Sequence, residues 1–195
     1  RGNAPVGRVV VMSELLLRFD RHSKDDTVPA EDEWATREDV HLALPFTAMC
    51  AARAMGVEVV SLSPIGQGPR ASIIAEALAR EGIVDAGPRV EGCDNGFLSP
   101  PLKQYGASVS SGMTEMPEDA WDEAIRTLGP SDVLFVDGGI VSQAVLAACE
   151  HALAHLPDHV RIILDASQGH VRQRSLPNDN VLIMVGYDSA ESLCR

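Results

Sequence analysis

Five short runs rich in Val, Ile and Leu recur along the chain: Val6–Met12, Val57–Leu62, Asp132–Asp137, Val160–Asp165 and Val181–Val185. Largely apolar runs of this length read as strands buried on both faces, the mark of a parallel sheet rather than an antiparallel one with a wet side. Helical patterns or polar excursions lie between them, so the plan is a repeated strand–crossover–strand of the α/β class.

Four helices fit the intervening patterns. Pro45–Met55 carries Pro in its first turn, where the missing N–H costs nothing, and small residues suited to close packing on a sheet; Gly56 stops it. Ala71–Arg80 sets Ile73, Ile74, Ala77 and Leu78 on one face. Pro117–Leu128 opens on Pro117, Glu118 and Asp119, all suited to a first turn. Ser142–Leu156 has Ser142 as its cap. Two polar excursions interrupt the plan. The first, Phe19–Val40, is dense in charge, and a connection of that length is usually a binding loop, a cover or disorder. The second, Val90–Gly112, carries turn signals at Asp94-Asn-Gly96 and Pro100-Pro101, and its Asn-Gly suggests a hairpin.

Composition narrows the class. A chain of 195 residues, 45% hydrophobic, can bury one sizeable core as a single domain. A net charge of −12 argues against nucleic acid and anionic membrane as partners, because both need a basic face. No apolar stretch approaches the roughly 20 residues of a membrane span, and no signal peptide opens the chain, so a cytoplasmic protein is expected. The four cysteines, Cys50, Cys93, Cys149 and Cys194, show no CxxC pairing and read as reduced thiols without a zinc site or disulfide framework. Arg1 in place of Met, and a last stretch Tyr187–Arg195 that reads as the start of a helix, suggest a domain incomplete at its C-terminus.

In open parallel sheets, ligands bind beyond the carboxyl ends of the strands. Those ends carry Ser13 and Glu14, Gly66–Gly68, Asp137–Gly139, Asp165–Gln168 and Gly186–Asp188. An Asp at a strand end is more often a turn former or cap than a ligand contact. Gly66-Gln-Gly68 is neither a dinucleotide fingerprint nor a P-loop, and it serves a tight turn as well as it serves substrate contact. His151 and His155, four apart on a helix, read as a surface pair, and no metal ligand set is expected.

The order of these pieces resembles the PfkB (ribokinase-like) carbohydrate kinase family. Val9-Val-Val-Met-Ser13-Glu14-Leu15 is similar to its first strand and Gly-Glu; Ala51–Val60 resembles its Ala-Leu-Ala-Arg-Leu-Gly-Val helix; Asp132–Ile140 resembles its Asp-Val-Leu…Ser-Gly-Ile. Thr47, Gly56 and Gly66 stand at the spacing of the family's first signature. The resemblance implies a three-layer α/β/α fold with a mainly parallel central sheet, and a small β lid built from segments of about 13–44 and 90–112. It implies an ATP- and Mg2+-dependent kinase acting on the hydroxyl of a sugar or keto-sugar acid. Thr47, Gly66, Gly68, Tyr105 and Arg172 would line the sugar pocket, Asp188 and Glu191 would order the metal through water, and two copies would pair through their lids.

This sequence also departs from the family pattern. Leu42-Ala43 replaces the Gly-Gly before the signature helix, Thr47 replaces the sugar-binding Asn, and Gly-Gln-Gly replaces Gly-Asp-Asp. Asp188-Ser-Ala-Glu191 stands for the metal-ordering Asn-x-x-Glu. The Gly-Ala-Gly-Asp motif, whose Asp is the family's general base and whose glycines form its anion hole, is not among the 195 residues, so no catalytic residue is assigned. Two functional readings follow, a carbohydrate kinase and a kinase-like binding or dimerising module without catalysis. An unrelated α/β domain is the third.

Overall fold

The computed structural model describes residues 7–22, 37–42, 44–99, 108–110, 112–165 and 180–184. All five expected strands form, each trimmed at its ends: β1 (Val9–Met12), β4 (Val59–Ser61), β8 (Val133–Asp137), β9 (Arg161–Asp165) and β10 (Val181–Met184). With a short edge strand, β5 (Val84–Asp85), they make a six-stranded sheet in the order β10-β9-β8-β1-β4-β5. Every pairing in it is parallel, with Val9 opposite Val59 on one side and Val133 on the other. β5 has no apolar run to announce it; it is two residues long, and three residues separate it from the end of the helix before it.

The helices are α1 (Leu44–Ala54), α2 (Pro69–Arg80), α3 (Asp122–Arg126) and α4 (Gln143–Ala154). Successive side chains of a strand point to opposite faces, and here both faces are covered. Val10 and Met12 join Leu134, Val136, Ile125, Val145 and Ala148 in one core. Val9 and Val11 join Val59, Met49, Ile74 and Leu78 in the other. The result is a three-layer α/β/α fold, α1 and α2 on one face, α3 and α4 on the other.

The polar excursions build a second sheet. β2 (Leu17–His22), β3 (Arg37–Leu42), β6 (Phe97–Ser99) and β7 (Ser108–Ser110) pair in the order β3-β2-β6-β7. Only its central pair, β2 with β6, is parallel. Its base is tied to the α1–α2 core: Leu17 is buried there, Phe19, Leu42 and Phe97 pack beside it, and the Phe19 and Phe97 rings meet edge to face at 5.8 Å.

Four local expectations need correction. Asn95-Gly96 is not a hairpin turn: the chain passes straight from it into β6, and Asn95 is fully buried. The helix expected over Pro117–Leu128 is reduced to α3, because residues 118–121 form tight turns that drive Trp121 into the core, where its indole N–H donates to the Leu62 carbonyl at 2.7 Å. Ile73 does not share the buried face of α2 with Ala71, Ile74, Ala77 and Leu78; it is 45% exposed. Ser142 precedes α4, but its hydroxyl does not cap the helix and donates instead to the Met113 carbonyl.

Candidate functional site at the carboxyl edge of the sheet

The strand order places the ends of β1, β8 and β9 side by side, and each carries a carboxyl: Glu14, Asp137 and Asp165. Asp137 and Asp165 are direct partners in the β8–β9 register. Glu14 is 2% exposed and Asp137 8% exposed.

Glu14 ties down the approach to α4. Its Oε2 accepts the backbone N–H groups of Val141 and Ser142, the two residues before Gln143, at 3.0 and 2.8 Å, so a side chain from β1's far end fixes the turn that leads into the helix. Its Oε1 is buried without a hydrogen-bond partner. Burial raises the Glu14 pKa; the two N–H bonds oppose the rise and Asp137 adds to it. Burial also pushes the Asp137 carboxyl up to about 6, against the Gly139 N–H it accepts at 2.9 Å and helped by the nearby Asp165. Two buried carboxyls with raised pKa values thus stand at adjacent strand ends, and perturbed groups of this kind concentrate at functional sites.

Beside these carboxyls runs a polar seam. Ser13 and Ser63, beyond β1 and β4, share a hydrogen bond of 2.7 Å and are fully buried. Asn95 closes the seam, donating to the carbonyls of Leu15 and Pro64 and accepting the Gly66 N–H at 3.0 Å. Asp94 accepts the N–H groups of Arg70 and Ala71, at 3.3 and 2.8 Å, and so caps α2. Burial works against the Asp94 carboxylate, but these N–H groups, that of Asn95 and the Arg70 guanidinium outweigh it and lower the pKa.

The expected sugar-pocket residues fall in separate places. Gly66 and Gly68 lie against this seam: a Cβ on Gly66 would come within 2.5 Å of the Cys93 carbonyl oxygen, and one on Gly68 within 2.5 Å of the Asp94 carboxyl carbon. Their missing side chains let the 93–95 loop approach. Thr47 is exposed on α1 and lines an open cavity of about 370 Å3, facing Ile73, Glu76 and Arg80 of α2 with Leu42 and Phe46 as apolar wall. Neither glycine lines that cavity. Tyr105, Arg172, Asp188 and Glu191 lie outside the described residues.

Sequence reasoning missed Asp94, Asn95 and the hold of Glu14 on the turn before α4. Asp94-Asn-Gly96 was visible as a turn signal, but nothing local says that its side chains bond to segments 23 to 80 residues away.

No family model and no curated protein matches the chain. Solved structures do. Ribokinase of Thermotoga maritima superposes with a TM-score of 0.66 at 16% identity, over 95% of this chain and 61% of that one. An uncharacterised sugar kinase of Pyrococcus horikoshii gives 0.64 at 14%, over 83% and 58%, and it has also been solved in complex with ATP. The 2-dehydro-3-deoxygluconokinase of Thermotoga maritima gives 0.58 at 18%, over 87% and 53%. The chain therefore spans 53 to 61% of the length of these structures. It has the ribokinase-like fold of sugar kinases.

Proposed function

We propose that the chain is part of an ATP-dependent carbohydrate kinase, and that it supplies the sugar-facing edge of the parallel sheet. The observation that supports this reading most is the second sheet, rooted between β1 and α1, in a fold shared with sugar kinases. A cover above the carboxyl edge would shield phosphoryl transfer from water. In this reading the acceptor is a neutral sugar or a keto-sugar acid, Thr47, Gly66, Gly68, Tyr105 and Arg172 contact it, and Asp188 and Glu191 order Mg2+ on ATP. The reaction joins a sugar hydroxyl oxygen to the γ-phosphorus while the bond to ADP breaks, and the hydroxyl proton passes to a general base. That base belongs to a Gly-Ala-Gly-Asp motif not found in these residues, so the activity is proposed for the whole protein and not for residues 1–195.

A second reading, a kinase-like module that binds or dimerises through its second sheet without catalysis, has its own support. Gly66 and Gly68 are filled from behind by the 93–95 loop, Asp94 occupies the N-terminus of α2, and the sugar-binding Asn is Thr47. Incubating the full-length protein with Mg-ATP and a panel of hexoses, pentoses and keto-sugar acids, with ADP release as readout, separates the two. Sugar-dependent ADP release supports the kinase. Saturable sugar binding, or dimerisation, with no ADP release overturns it in favour of the module.

A further inference from the structure

The strongest unassigned chemistry lies at the opposite edge of the sheet, in the last turn of α4. His151 and His155 are one helical turn apart, and their rings stand 4.4 Å apart, tilted by 35°. His155 Nδ1 lies 2.8 Å from the His151 carbonyl oxygen, an acceptor, so Nδ1 carries the proton and Nε2 is left with its lone pair. A backbone carbonyl holding one ring nitrogen in this way is how metal-binding imidazoles are commonly oriented. His151 Nε2 lies 3.4 Å from Asp122 Oδ1 at the start of α3. That oxygen is buried without a hydrogen-bond partner.

We propose that His151 and His155 form a chelate for a transition-metal ion of the Zn2+ class, with the Asp122 carboxylate, 3.4 Å from His151 Nε2, as a neighbouring negative charge. The negative end of the α4 dipole favours a cation at this turn, and so does the chain's net charge of −12. A pair of imidazoles suits Zn2+, Cu2+ or Ni2+ over Mg2+ or Ca2+, which take oxygen-rich sets. Among the described residues no three His, Cys, Asp or Glu side chains already converge on one point, so the site is an open two-imidazole chelate and not a closed structural cage.

The test is calorimetric titration of ZnCl2 into tag-free protein in the presence of excess Mg2+, with Cu2+ electron paramagnetic resonance as a second readout. The expected result is one saturable site that Mg2+ does not displace, with nitrogen hyperfine structure on Cu2+. His151→Gln and His155→Gln should each weaken it by about tenfold or more, since even an outer-shell partner is worth that much. Asp122→Asn should weaken it less. His155 is exposed, so His155→Gln is expected to fold, which circular dichroism would confirm. No saturable binding, or binding unchanged in the His151→Gln/His155→Gln double variant, overturns the proposal and leaves a His151–Asp122 ion pair.

Discussion

A carboxyl that ends a buried strand either finds a partner or keeps its proton, and Asp137 keeps its proton up to about pH 6. Unfolded, the same group titrates near 3.8. Between those values the folded chain holds a proton that the unfolded chain has lost. The stabilisation is therefore complete below the lower value and is lost as pH rises through the upper one. Asp137→Asn removes the titration while keeping an oxygen for the Gly139 N–H. Its urea midpoint should match that of the parent at pH 3.5 and exceed it at pH 7.5, by an amount bounded at about 3 kcal/mol, two pKa units. Equal midpoints at pH 7.5 would show that the Asp137 carboxyl is not held up by burial. A cost that the fold carries at neutral pH, on the edge where ligands of such sheets bind, fits a group kept for binding more than one kept for stability.

At the scale of elements, side chains distant in sequence fix where two helices begin. Asp94 caps α2 from 23 residues away, and Glu14 holds the turn before α4 from 127 away. The Asp94 cap needs Gly68, where a Cβ would strike the carboxyl carbon. Gly68→Ala should thus cost about 1–3 kcal/mol by overpacking, and Asp94→Ala about 1 kcal/mol by removing the cap. Because each change touches the same contact, the double variant should lose less than the sum, and additive losses in a urea-denaturation cycle would disprove the coupling. These dependences explain what could be read from residues alone. β1, β4, β8, β9 and β10 were legible because a strand buried on both faces writes itself as an unbroken apolar run. α1, α2 and α4 were legible through Pro45, Gly56 and their helical spacing. The Asn95-Gly96 turn, the short α3 and the exposed Ile73 were not, because tertiary contacts decide them: Asn95 serves Leu15, Pro64 and Gly66, and Trp121 reaches Leu62. Of the site, the strand-end carboxyls could be placed from sequence, but their burial and the glycines' packing could not.

Over the whole molecule the shifted carboxyls divide into two groups that act in opposite pH windows. Asp132 is held down to about 2, first by the hydrogen bond from the Arg8 guanidinium at 2.6 Å and then by backbone N–H groups, against its own burial. Asp94 is lowered as well. These two stabilise above the ordinary carboxylate range, and that contribution is lost as pH falls below it, for Asp132 through about 2. For Asp132 the shift corresponds to at most about 2.5 kcal/mol, less after solvent screening of Arg8, whose side chain is 34% exposed. Asp137 and Glu14 act the other way: both are raised, so their contribution is lost as pH rises above the ordinary range, for Asp137 through about 6. The net charge reinforces the second trend: at −12 the folded chain repels itself at neutral pH, and the repulsion vanishes near the sequence pI of 4.8. The two windows meet near the ordinary carboxylate value of 3.8 and the self-repulsion vanishes near 4.8, so maximal stability is expected between about pH 4 and 5 and not near 7. Urea midpoints at pH 3, 4.8 and 7.5 should therefore peak at the middle value, and Asp137→Asn should flatten the alkaline side while leaving the acid side intact. A midpoint that climbs steadily from pH 4.8 to 7.5 would mean that ion pairs, not the buried strand-end carboxyls, govern the neutral range.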